Sequence, residues 1–324
     1  MPKIRELQKK AMSGKGVSYD EAKWLLGKND DETLDIIAAA NEIRRHFKGN
    51  KVKLCSIVNA KSGRCPEDCS YCAQSAHHKT KIEIYPLMSA SEIHKKAKES
   101  DAAGAICFSI VTSGKGISSD KEIDGICKAL SKIKDIKMNR CASLGILSKG
   151  QLKKLKAAGL KKFHHNLETS KSHFGKICTT HKYEDRIATI KAAKEAGLSV
   201  CSGGIFGLGE SLAQRVELAF TIKELDPDSI PINFLNPIKG TKLEKNRLLE
   251  PFEALRIIAM FRFVMPKKDI VICGGREVTL RSLQPLMFSA GANMTLLGNY
   301  LTTAGNKPED DIKMIEDLGL KVSR

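Results

Sequence analysis

The stretch SKGQLKKLKAAGLKKFHHNLE, residues 148–168, carries one full period of the pattern that decides the fold. Ser148 followed three residues later by Gln151 has the form of a capping box, which opens a helix by satisfying its free amides. The lysine-rich amphipathic run QLKKLKAAG then ends at Gly159, a residue suited to a helix stop, and KFHHNLE continues as a strand. The same punctuation recurs: Ser89 with Glu92 reads as a second capping box, and Gly104, Gly197 and Gly291 follow Ala-rich helix ends just before apolar runs. Those runs are KLCSIVN near 53, AICFSIVT near 105, RCASLG near 140, KFHHNLE near 162, LSVCSGGIF, SIPINFL, DIVICGG and NMTLLG. Eight βα units between about 51 and 310 suit the ~250 residues of a TIM-type barrel. The expected fold is therefore α/β, a (β/α)8 barrel over residues 51–324 behind a helical N-terminal extension over 1–50. A doubly wound open sheet is the main alternative. No linker, composition shift or low-complexity tract divides the chain.

The composition is that of a soluble globular protein, with 42% hydrophobic and 28% charged residues among 324. Lys+Arg 54 against Asp+Glu 37 leaves a formal charge of +17, which favours acidic partners such as nucleic acid or an acidic electron carrier. The lysines are spread over helices such as EIHKKAKES and only 5% of residues are aromatic. A nucleic-acid partner is therefore not expected, because such binding needs a localised basic footprint. No apolar leader or membrane-length run is found, so the expected location is the cytoplasm, with no membrane partner. Ten cysteines in such a chain argue for metal or catalytic use rather than disulfides.

Three of them, Cys65, Cys69 and Cys72 in RCPEDCSYCAQS, have the spacing C-x-x-x-C-x-x-C directly after the first strand, on the catalytic face of a barrel. His77 and His78 could complete a zinc site, but zinc ribbons use a second paired arm and none follows. A 4Fe-4S cluster on three thiolates keeps one iron open to a small-molecule ligand. The triplet, with the aromatic Tyr71 before its last cysteine, resembles the signature of the radical S-adenosylmethionine (SAM) enzymes. GGIFGLGE, Gly203–Glu210, fits the G-x-I-x-G-x-x-E pattern those barrels carry after the fifth strand, which sets Ile205 against the SAM adenine. It is not a dinucleotide motif, since Leu212 stands at the last glycine position. Four further cysteines, Cys107, Cys141, Cys201 and Cys273, fall in expected strands two, three, five and seven, each near the C-terminal half, where inward thiols could hold a second cluster. Cys55, Cys127 and Cys178 lack such company and read as structural.

KSGRCPEDCSYCAQS, CASLGIL, HHNLETS, VCSGGIFGLGE, SIPINFL, GGREV and YLTTAGN, in this order, make the chain from about residue 50 onward resemble the biotin synthase family. The resemblance implies sulfur insertion into dethiobiotin between its C6 and C9 carbons. It implies a SAM-binding 4Fe-4S cluster on Cys65, Cys69 and Cys72, and a flavodoxin- or ferredoxin-type electron donor. It also admits a homodimer. It places Arg186 on the SAM carboxylate, Asn166 and Glu168 against SAM ribose and substrate, Asn233 on the ureido ring, and Thr302 and Thr303 near the substrate carboxylate. Glu168 is one methylene longer than the family's aspartate. His164 replaces an asparagine of the substrate pocket and Phe163 a tyrosine.

In the better-known form of that family the auxiliary cluster is 2Fe-2S on three cysteines and one arginine, and it supplies the sulfur. Here Ser109 takes the first cysteine position and Val271 the arginine position, while Cys107 and Cys273 each stand two residues away. On a strand that shift keeps the face and moves the thiol by roughly 6.6 Å. The paired changes favour an all-cysteine auxiliary cluster of the 4Fe type over 2Fe-2S. A sister radical SAM enzyme, resembling methylornithine synthase or a hydrogenase maturase, is the nearest alternative, and an RNA-binding iron-sulfur protein a more distant one.

Overall fold

The computed structural model describes residues 2–323, so the outermost residue of each expected segment lies outside it. Three helices, α1 (Pro2–Met12), α2 (Tyr19–Leu26) and α3 (Thr33–Lys48), precede the first strand, β1 (Lys51–Lys61). The strands that follow are β2 (Cys107–Thr112), β3 (Asn139–Ser143), β4 (Lys162–His164), β5 (Ser199–Cys201), β6 (Gly204–Phe206), β7 (Ser229–Phe234), β8 (Asp269–Ile272) and β9 (Met294–Leu296). All pair in parallel with their neighbours, and β9 returns to β1 with Met294 opposite Lys53, which closes the barrel. A short last strand, β10 (Lys321–Val322), adds to the first residues of β1.

All eight expected strands are present, and the fifth is split. Its halves β5 and β6 both pair with β7, and the break falls at Ser202–Gly203. A Cβ on Gly203 would sit 1.9 Å from the carbonyl oxygen of Pro231, so only glycine lets the two backbones approach this closely.

The intervening helices include α4 (Ala90–Ala102), α5 (Asp120–Lys132), α6 (Lys149–Ala157), α7 (Lys171–Ile177), α8 (Tyr183–Glu195), α9 (Leu212–Leu225) and α10 (Pro251–Val264), with two shorter ones, Arg276–Leu280 and Leu286–Ser289, between β8 and β9. Both expected capping boxes form: the Ser148 hydroxyl accepts from the Gln151 amide at 3.3 Å while Gln151 Oε1 accepts from the Ser148 amide at 2.9 Å, and Ser89 and Glu92 do the same. The four glycine stops all have positive φ. Helix α10, PFEALRIIAMFRFV, is apolar on nearly every side and buried from Ala254 to Val264, because α2 and α3 cover the side that the barrel does not. The N-terminal helices thereby share one core with the barrel. Arg262 of α10, fully buried, donates to the Gly291 carbonyl at 2.9 Å and to Asn293 Oδ1 at 2.9 Å, tying the helix to the turn before β9.

Inside the barrel a second apolar cluster stands apart from the main core, formed by Cys55, Cys107, Cys141, Val271, Cys273 and Met294. Two of the strand cysteines sit differently from expectation. Cys107 is the first residue of β2, not in its C-terminal half, and Cys273 lies one residue beyond β8. The stagger of a closed barrel explains how they still meet, since depth depends on register with the neighbouring strands and not on position within one strand. Cys107 pairs with Cys55, the fifth residue of β1.

Candidate active site

The loops leaving the C-terminal ends of the strands surround one cavity. The β1 loop delivers Cys65, Cys69 and Cys72 to it, β2 and β5 deliver Cys107 and Cys201 from below, and Cys273 enters just past β8. Cys141, fully buried, stands in the wall beside Cys107.

The cysteine loop is held by its own backbone: the Cys65 amide donates to the Gln74 carbonyl at 3.0 Å and the Cys72 amide to the Cys69 carbonyl at 2.9 Å. The two acids between Cys65 and Cys69 lock it to the segment between α7 and α8. Asp68 accepts from the Thr179 amide at 2.9 Å and the Thr179 hydroxyl at 2.6 Å. Burial alone would raise its carboxyl, but these bonds hold it well below the usual range. Glu67 accepts from the Thr180 hydroxyl at 2.7 Å and from His181 Nδ1.

Arg186 enters from α8 and is fixed on two sides. Its Nε donates to His181 Nε2 at 3.0 Å, and Nη1 donates to the Asn166 carbonyl at 2.9 Å and faces Glu168 Oε1 at 3.4 Å. Glu168 adopts a left-handed φ of 69°, and its carbonyl accepts from the Ile205 amide at 2.7 Å, so HHNLETS and GGIFGLGE are stitched together here. Asn166 Oδ1 accepts from the Gly203 amide at 3.2 Å. Asn233 is oriented in the same way, donating to the Gly204 carbonyl at 3.2 Å and accepting from the Gly274 amide at 3.1 Å.

Tyr71, His164, Asn166, Glu168, Arg186 and Asn233 all line the cavity. Ile205 stands outside the lining and packs with Tyr71 against Ile177, Leu208 and Leu235. From the loop after β9 it is Leu301 that reaches the cavity, while Thr302 and Thr303 are not among the lining residues. Burial, then the nearby Lys162, lowers the His164 imidazole to about 4, so it is neutral near pH 7.

The thiols fit a metal cluster. Burial pushes Cys72 up to about 11 and raises Cys65, while Cys69, hydrogen-bonded with Cys178 and buried, is raised further. Such thiols stay protonated unless a cation takes the proton's place, and soft iron does so. In the strand cluster the Cys107 thiol lies between those of Cys141 and Cys55; hydrogen bonds from both make it the most acidic of the three and push the other two up.

Two cysteines that read as structural thus have company. Cys55 faces Cys107, and Cys178 lies with its Sγ 3.2 Å from His181 Nδ1, the donor atoms of Cys69, Cys178 and His181 all falling within 4.8 Å of one another. Register between parallel strands and packing between distant loops leave no mark in local spacing. Lys162 is a further residue the motifs did not single out. It lines the cavity, with Nζ donating to the Ser229 hydroxyl at 3.1 Å. Its i, i+2 relation to His164 on one strand was the available signal.

A parallel barrel with a three-cysteine loop after its first strand, and an arginine and glutamate facing that loop, defines a radical SAM enzyme. The model of the Radical SAM superfamily matches residues 60–222, and that of the Biotin and Thiamin Synthesis associated domain matches residues 231–321. The chain is 49% identical over 320 residues to a biotin synthase of Geobacter metallireducens, covering 98% of this chain and 97% of the relative. It is 51% identical over 320 residues to one of Pelotomaculum thermopropionicum, covering 98% and 99%. The chain belongs to the biotin synthase family. Among solved structures, a methylornithine synthase superposes with a TM-score of 0.87 at 20% identity over 98% of this chain and 97% of that one. A maturase of the [FeFe]-hydrogenase gives 0.85 at 17% over 99% and 75%. At those identities the two share the fold.

Proposed function

We propose that this chain forms biotin by radical SAM-dependent insertion of sulfur between C6 and C9 of dethiobiotin, the sulfur coming from an auxiliary iron-sulfur cluster. The observation that carries this reading is the meeting, in one cavity, of the three-cysteine loop with the strand cysteines. A 4Fe-4S cluster held at the loop would supply the electron for reductive cleavage of SAM.

Cys65, Cys69 and Cys72 hold that cluster. Arg186, braced by His181 and the Asn166 carbonyl, presents its guanidinium to the SAM carboxylate. Tyr71 would border SAM with Ile205 packed behind it, and Asn166 and Glu168 would face its ribose and the substrate. Asn233 meets the ureido ring with an amide already oriented by the backbone, and neutral His164 borders the same pocket. Thr302 and Thr303, on the loop that brings Leu301 to the cavity, would serve the substrate carboxylate if that loop moves inward. Cys107, Cys141, Cys201 and Cys273 would hold the auxiliary cluster; four thiolates can carry either cluster type, and the loss of the arginine ligand of the 2Fe-2S form favours the 4Fe type.

Residues 1–50 serve as a helical extension and 51–324 as the catalytic barrel. The +17 charge suits an acidic flavodoxin- or ferredoxin-type electron donor and does not require nucleic acid. The working location is the cytoplasm, where a homodimer is admitted; among the described residues no helix is long and apolar enough to cross a membrane. Replacing Cys69 with alanine removes one of three cluster ligands and is expected to abolish reductive SAM cleavage. Continued formation of 5′-deoxyadenosine by that variant would sink the assignment.

A further inference from the structure

Lys162 sits where an unpaired ammonium has no evident reason to be. It opens β4, with Cys141 as its register partner on β3 and Ser199 on β5. Its side chain lines the same cavity as Cys55, Cys107 and Cys201, and its one hydrogen bond is to the neutral hydroxyl of Ser229. The groups that surround it in the cavity are the thiols of Cys55, Cys107 and Cys201, with Cys141 opposite it on β3. Among the described residues no carboxylate pairs with it.

A half-buried cation without a counter-charge still carries a desolvation cost, which such groups normally offset by pairing. Methionine would fill the same space without that cost. The cost disappears if the strand thiols are held as thiolates, because four thiolates around a ferric–ferrous cluster core leave the site net negative.

We propose that Lys162 is the fixed counter-charge of the auxiliary cluster, a positioning residue whose ammonium sets that cluster's reduction potential. This rests on the reading that an auxiliary cluster occupies the strand cysteines. A positive charge held beside a cluster stabilises its reduced, more negative state, so removing the charge must make reduction harder.

The test is an anaerobic redox titration of fully loaded enzyme followed by electron paramagnetic resonance; the signal that changes on adding SAM belongs to the radical cluster and the other to the auxiliary one. In Lys162→Met the reduced-to-oxidised ratio of the auxiliary cluster at a fixed potential should fall about tenfold, a downward shift of ~59 mV for one electron. The radical cluster should be unmoved, and Lys162→Arg should stay near the parent value. If Met prevents loading of the second cluster while Arg permits it, the charge is again the cause. An unchanged potential in Lys162→Met, or equal loss of the cluster in both variants, overturns the inference. Parent enzyme carrying only about four irons per chain would instead remove the auxiliary cluster itself.

Discussion

His181 holds Arg186 from behind. The arginine Nε donates to His181 Nε2 at 3.0 Å, which leaves the imidazole proton on Nδ1, facing Glu67. The cluster loop, which carries Glu67, is thus coupled through one ring to the guanidinium proposed to bind SAM. Replacing His181 with alanine removes one of the two sides on which that guanidinium is held. A hydrogen bond to a charged group contributes about 1.5 kcal/mol, so SAM affinity should fall roughly tenfold. Equilibrium binding on the loaded enzyme measures this, and iron content should stay at the parent value. Unaltered affinity would reduce His181 to a packing residue.

A second relay ties the N-terminal helices to the barrel floor. Asp269 of β8 meets Lys48 at the end of α3 at 2.8 Å and Lys53 of β1 at 2.7 Å. Burial would raise its carboxyl, but the two ammonium groups hold it well below the usual range. A carboxylate lowered in this way adds stability above its unfolded pKa of about 3.9, and the contribution is lost as the pH falls below that value. Asp269→Asn should therefore cost on the order of 2 kcal/mol at neutral pH, and the gap from the parent should close below about pH 4. Urea denaturation of the apoprotein across that range reads it. A gap independent of pH would mean that the carboxylate charge is not what matters.

Much of this was legible in the sequence. The Ser148–Gln151 box and the Gly159 stop are local features, set by hydrogen bonds within a few residues, and they form as their pattern requires. The split of the fifth strand was not legible, because it depends on how closely Pro231 approaches Gly203 across the sheet. The same limit applies to the site. The three-cysteine loop is one contiguous motif, whereas the meeting of Cys55 with Cys107 needs the β1–β2 register and that of Cys178 with Cys69 needs two loops to pack. Lys162 was hidden for another reason: among so many surface lysines, only its i, i+2 relation to His164 marks it as facing the cavity.

The auxiliary cluster gives the next prediction. Cys273 lies one residue past β8 and lines the cavity with Cys201. Cys273→Ser should lower iron from about eight to about four per chain and stop biotin formation, while SAM cleavage continues. Iron and sulfide analysis beside product assays separates the two activities. Normal iron content with normal biotin formation would make Cys273 a core residue.

The central claim is sulfur insertion into dethiobiotin. The measurement that meets it most directly is anaerobic turnover of reconstituted enzyme with SAM and a reductant, with and without dethiobiotin, following 5′-deoxyadenosine and biotin together. Binding that orders the reacting carbons against the radical should raise SAM cleavage at least about tenfold, with biotin appearing in step. Cleavage that ignores dethiobiotin but rises with another small molecule, with no biotin formed, would contradict the account.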